Sequence, residues 1–419
     1  MNRVTKVRPV ADERVLLDDN LRPLCMFLRC NLLLPDFSDQ EKENCVFYIA
    51  RLVFTMLVVL LIMSNTAFEL YQMMFVLPQS NETLNIGLIL IVGLCGVFST
   101  TFQYQFFIYR KEIKQFLKDW KTFEIQSLEN FFETEKKNEA TYLIVLYAFL
   151  TFMITFGLFF YNWLDPEKPC FLSYYPIFRN KISVITLSLI TAVCEYFTHI
   201  YLFLGEIVPP LFYYRTGCVI EDLVREFKKV SELTYSKSLN MKQCSTLTDD
   251  EIVISNLNIQ FRKGRPFGRI WKKYETVFNW VNRANDLLGT LILLGYSGVF
   301  IFSSISMYIG LFFISKDPKV AVIFVSIFLC SALRTVLMNR LMSHLPLSCG
   351  KLKSTLALVL SRKWHVLPED DRLLLLSFQT RLDRDELTAS PFRLYFVNPN
   401  NVLSMLSVIV TYTIVLLQL

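Results

Sequence analysis

The sequence predicts an all-α membrane protein of seven transmembrane helices, with a cytoplasmic amino terminus and helical cytoplasmic extensions that form an anchor domain. Three observations predict it. Of 419 residues, 53% are hydrophobic and 37 are Phe, more apolar surface than a soluble chain of this size can hide. The charged residues fall in blocks between long apolar runs. Finally, about thirty-five of the 43 Lys and Arg lie in alternate inter-span segments, against about five in the others.

Crossing a bilayer takes about 20 apolar residues. Seven stretches meet this: Phe47–Phe68, Leu84–Phe107, Tyr142–Trp163, Ile182–Leu204, Leu287–Phe313, Val320–Met338 and Val402–Leu419. Arg51 and Arg334 stand near the inner ends of their spans, where long side chains are expected to snorkel to the interface. The polar, basic residues 1–45 have no apolar core before a small-residue cleavage site, so no cleavable signal is expected and the first span must drive insertion.

The Lys/Arg excess places segments 1–45, 109–140, 214–275 and 339–401 inside. With seven spans the carboxyl terminus is then extracellular. Asn81-Glu82-Thr83 in the first outer loop is a glycosylation sequon, with Asn81 as acceptor. The expected organisation is a cytoplasmic segment 1–45, spans one to four over 46–213 and cytoplasmic extensions over 214–286. Spans five and six follow over 287–341, then a cytoplasmic anchor segment 342–401 and a last helix 402–419.

Inside the cell, apolar residues recur at three- and four-residue spacing among charges. Val219, Leu223, Phe227, Val230 and Leu233 do so after the fourth span, and Ile270, Tyr274, Val277 and Val281 before the fifth. Leu374, Phe378 and Leu382 continue the pattern before the seventh. Such helices bury their stripes on one another and on neighbouring subunits, as a packed cytoplasmic collar, or lie flat on the inner leaflet. Residues 236–256 lack apolar periodicity and read as a disordered loop.

In the seventh span Ser404, Ser407, Thr411 and Gln418 fall within roughly 60° of one another on a helical wheel, beside an arc of Leu403, Leu406, Val410 and Leu417. A polar stripe there bonds a neighbouring helix or faces water. One helix cannot enclose water, so a pore requires several copies around an axis.

The fourth span carries Ser188, Thr191, Glu195 and His199 on one face. A carboxylate near the midplane faces protein or water. One reading joins Thr191, Glu195 and Tyr196 to Tyr161 and Trp163 of the third span as a ligand pocket. The other makes Glu195–His199 an internal pair, with Tyr161 and Trp163 in the interfacial aromatic belt.

No phosphate-cradling Gly loop, nucleophile motif or metal-ligand cluster stands out, so no enzymatic activity, cofactor or metal is expected. The modest net charge of +6 suits cytoplasmic membrane loops and calls for no nucleic acid. Ten Cys show no zinc-like or redox spacing. A G-protein-coupled receptor would place its amino terminus outside, and a secondary transporter commonly shows an internal repeat, absent here.

The ending Thr411-Tyr412-Thr413-Ile414-Val415-Leu416-Leu417-Gln418-Leu419 resembles the insect gustatory receptor signature: Thr-Tyr, five mostly apolar residues, then Gln-Phe. Leu387-Thr388-Ala389-Ser390-Pro391-Phe392 is similar to that family's loop before the last helix. The resemblance implies a plasma-membrane, ligand-gated cation channel related to odorant receptors. It would be a homotetramer or a heteromer, with a small-molecule tastant bound in the outer half of each subunit. By position, Gln418 and Leu419 would form the outer gate, with Thr411 and Tyr412 packed along the pore helix. Leu419 stands where the family has Phe, and its terminal carboxylate is expected to favour cations at the pore mouth. The family's sugar-receptor lineage tends to carry Glu where this chain has Thr413, which points away from a common sugar.

Overall fold

Apolar runs rich in Leu, Ile and Phe satisfy their backbone polar groups internally by winding into helices. Every regular element among the described residues is helical. The computed structural model describes residues 45–71, 75, 83–127, 142, 145–154, 156, 184–244, 266–385, 387–394, 396–397 and 400–418. The helices are α1 (Cys45–Tyr71), α2 (Thr83–Ile108), α3 (Arg110–Ser127), α4 (Val145–Ile154) and α5 (Val184–Cys244). They continue with α6 (Pro266–Phe313), α7 (Pro318–Lys363), α8 (Glu369–Arg384) and α9 (Asn401–Gln418), a 3-10 turn at Pro391–Arg393 preceding α9.

Length alone separates these helices into two regimes. At 1.5 Å per residue the 48-residue α6 and 46-residue α7 each run about 70 Å, and the 61-residue α5 about 90 Å, against about 30 Å of hydrocarbon. Both α6 and α7 hold a stretch long and apolar enough to cross a membrane. The remaining turns of each project beyond that stretch. Along these projections the stripe is buried as the periodicity predicts: Val219, Leu223, Phe227, Ile270, Tyr274, Val277, Val281, Phe378 and Leu382 are all in the core. Val230 and Leu374 pack at its edge, whereas Leu233 faces outward. Burial also holds the Tyr274 phenol above its ordinary range and pushes the Cys349 thiol up to about 12, leaving it unreactive near neutrality.

Three points depart from expectation. Residues 236–244 belong to α5 rather than to a loop, because that helix runs on to Cys244; residues 245–256 lie outside the described residues. It passes through Pro209 and Pro210, whose missing N–H groups free the carbonyls of Gly205 and Glu206. Secondly, α2 continues almost unbroken into α3, with Tyr109 N and Ile113 N donating to Gln105 O and Tyr109 O. There Ile113, Phe116 and Trp120 are buried, and Phe116 and Trp120 meet Phe212 of α5 at ring distances of 5.1 Å. Thirdly, Arg334 does not snorkel. It is 4% exposed, inside the bundle.

The turn from α6 to α7 is short. Asp317 caps α7, accepting from Lys319 N at 3.1 Å and Val320 N at 3.4 Å, while Pro318 occupies the position where a helix needs no N–H. The exterior of α1, α4 and the first half of α7 is apolar: Leu57, Leu60, Val145, Phe149, Phe152, Val322 and Leu329 all stand exposed. Hydrocarbon accepts such a surface; water does not.

Candidate functional site

Helices α2, α4, α5, α6 and α7 leave a narrow, partly open cavity between them. Most of its wall is apolar, with Phe98 and Phe302 among the largest groups, while His199, Ser331, Glu206 and Arg334 supply polarity. It admits solvent-sized groups; a ring-sized ligand requires side chains to move.

An ion pair forms part of the wall. The Arg334 guanidinium on α7 pairs with the Glu206 carboxylate on α5, and the Tyr147 hydroxyl donates to the same carboxylate. Arg334 Nη2 also donates to Tyr147 Oη at 3.3 Å, with the guanidinium carbon 5.0 Å from the Tyr147 ring centre. Glu206 is 2% exposed, so both charges are dry and each depends on the other. Arg334 Nε has no hydrogen-bond partner among the described residues. Neighbouring contacts between α6 and α7 are also polar: Tyr296 donates to Asn339 Oδ1 at 3.0 Å, and the Ser303 and Ser331 hydroxyls lie 2.8 Å apart.

His199, one of the four polar residues read on a single helix face, is buried and lines the cavity, as does Glu206. Thr191, Glu195 and Tyr196 lie on α5, with side chains outside the described residues; Tyr161, Trp163, Asn81 and Leu419 are outside them altogether, as is the side chain of Arg51. Tyr147, Glu206 and Ser331 were missed. Each is a polar residue within an apolar stretch of its helix, which is the signal that could have marked it.

The last helix divides cleanly. Ile409 and Thr413 are fully buried, and Met405 packs against the core. At about 100° per residue the stripe of Ser404, Ser407, Thr411 and Gln418 lies roughly opposite that face, and all four are exposed. The Thr411 hydroxyl donates to Ser407 O at 2.9 Å, and the Ser404 hydroxyl to Asn400 O at 3.4 Å. Tyr412 is off the stripe, 6.3 Å from the Phe300 ring on α6 in an edge-on contact.

This arrangement of long helices is similar in fold to a solved insect olfactory receptor. The olfactory receptor OR5 from Machilis hrabei superposes with a TM-score of 0.60 at 15% identity, covering 96% of this chain and 100% of that one. The structure of OR5 in complex with eugenol gives 0.59 at the same identity and coverage. No protein-family model matches the sequence, and no curated protein matches it.

Proposed function

We propose that this protein is a chemosensory receptor of the gustatory type, acting as a ligand-gated, non-selective cation channel in the plasma membrane. The observation that carries the reading is the polar stripe of α9, set opposite the face that α9 buries in its own subunit. Around a shared axis, four such stripes make a wet lumen while Ile409 and Thr413 hold each helix to its bundle. Ser404, Ser407 and Thr411 then line the passage, with Gln418 and Leu419 at its mouth and Tyr412 bracing the helix against Phe300.

The rest of the reading extends the same frame. Seven spans with the amino terminus inside follow from the Lys/Arg distribution, and the projections of α5, α6 and α7 with α8 make the intracellular anchor. OR5 is described in complex with eugenol, which supports a small organic ligand here too. That ligand enters between the third and fourth spans, near Tyr161, Trp163, Thr191, Glu195 and Tyr196. A common sugar is disfavoured, because the sugar-receptor lineage that the ending resembles tends to carry Glu where this chain has Thr413. Chemistry at a catalytic centre has no part in the proposal.

The test is cysteine substitution along α9, probed with a charged, water-borne methanethiosulfonate during current recording. Cysteines at 407 and 411 should react and reduce current, while one at 409 should not. Equal protection of 407 and 411, or a protein that stays monomeric in lipid nanodiscs, would remove the pore from the reading.

A further inference from the structure

We propose that Asn285 is a positioning residue that ties the foot of α9 to α5 and α6, and so sets the balance between closed and open channel. The inference rests on α9 as the pore helix.

Asn285 sits on α6 where the stripe of Val281, Ala284 and Leu288 would call for another apolar group. Its buried amide is occupied on three sides. Oδ1 accepts from the Tyr213 hydroxyl of α5 at 2.6 Å and from Ser390 N at 2.9 Å, and Nδ2 donates to Thr388 O at 3.2 Å. Thr388 and Ser390 bracket Ala389, which is fully buried and whose carbonyl accepts from Val397 N at 2.9 Å. One side chain thus grips both polar groups of a chain segment that doubles back just before α9 begins at Asn401.

Two further features keep that segment in place. Phe392 has φ 51°, a left-handed conformation that a bulky aromatic residue adopts only when its surroundings impose it. Gly289, one turn beyond Asn285 on the same face, lets the Phe392 backbone come close; a Cβ there would lie 3.3 Å from Phe392 N. On α5, Tyr213 stands seven residues after Glu206, two turns along the same face. A shift of α5 at the cavity therefore reaches the amide that holds the foot of α9.

The experiment is single-channel recording of the purified full chain in planar bilayers without added ligand, comparing Asn285→Leu and Tyr213→Phe with the unaltered protein. Unit conductance should be unchanged, since neither residue lines the pore. Basal open probability should depart by about tenfold or more for Asn285→Leu, as expected when buried hydrogen bonds are lost from one of two states. Tyr213→Phe, which deletes a single hydroxyl, should depart in the same direction by less. If Asn285→Leu fails to fold, Tyr213→Phe decides alone. Unaltered open probability in the variants that incorporate overturns the proposal. An unaltered protein without unitary steps is a different result: it overturns the pore reading of α9 itself, and this inference with it.

Discussion

The membrane-crossing part of the bundle and its helical projections solve opposite problems with the same helices. Along the projections, Ile270, Tyr274, Phe227, Leu352 and Phe378 are buried and the outer faces carry charge. In the crossing part, Leu60, Phe149, Val322 and Leu329 face outward, while Glu206, Arg334, Ser303, Ser331 and Asn339 are inside. The solvent decides. Water drives apolar groups inward, whereas hydrocarbon leaves them indifferent and forces polar groups to find each other. The energetic weight of a polar contact should therefore differ between the two regions, and substitution can measure by how much.

The largest effect should come from the pair at the cavity. Arg334→Met leaves the Glu206 carboxylate dry and without its countercharge, at a cost of about 3–5 kcal/mol. The loss should appear as a lower thermal midpoint by fluorescence-detected size exclusion in detergent. Adding Glu206→Gln should recover most of it, because removing both charges also removes the desolvation cost. A single variant as stable as the parent would mean that water reaches the pair and that the contrast between the two regions is wrong.

The same contrast explains what could be read without a structure. The stripes Ile270–Val281 and Leu223–Phe227 were legible because a helix with one wet side writes its burial into a 3.6-residue period. So was the exposed polar stripe of α9, since its spacing is local to one helix. The pairing of Arg334 with Glu206 was not: the residues lie 128 positions apart, and only the packing of α5 on α7 brings them together. Helix α3 was legible and missed. Ile113, Phe116 and Trp120 have the right spacing, but the segment had been weighed only for its Lys and Arg. Asn285 broke an apolar stripe, and its partners in the Leu387–Phe392 segment lie more than 100 residues downstream.

An intermediate effect is expected where α5 crosses α7 along the projections. A Cβ at Gly217 would lie 2.6 Å from the His344 ring and 3.0 Å from the backbone at His344 and Leu345. The ring can swing; the backbone cannot. Gly217→Val should destabilise by about 1–3 kcal/mol, read as a thermal midpoint lowered at unchanged unit conductance. A midpoint equal to the parent's would show that α5 and α7 can part without cost, and the projections would not be the rigid core that their buried stripes imply.

The smallest effect should come from a pair that looks as good on paper as the one at the cavity. Lys351 Nζ lies 2.6 Å from Glu221 Oε1, between the same two helices, but the lysine side chain is 61% exposed. Water screens the attraction and solvates the ammonium equally well alone, so Lys351→Ala should cost at most about 1 kcal/mol and less in high salt. His344 Nε2, 3.9 Å from the other Glu221 oxygen, remains to share the carboxylate. Measured in the same assay, the ratio between the Arg334 and Lys351 losses reports the difference in surroundings, because both variants take a cation from a carboxylate of α5. A ratio near one would place both pairs in the same medium, and the division of the bundle into a lipid-clad and a water-clad part would have to be abandoned.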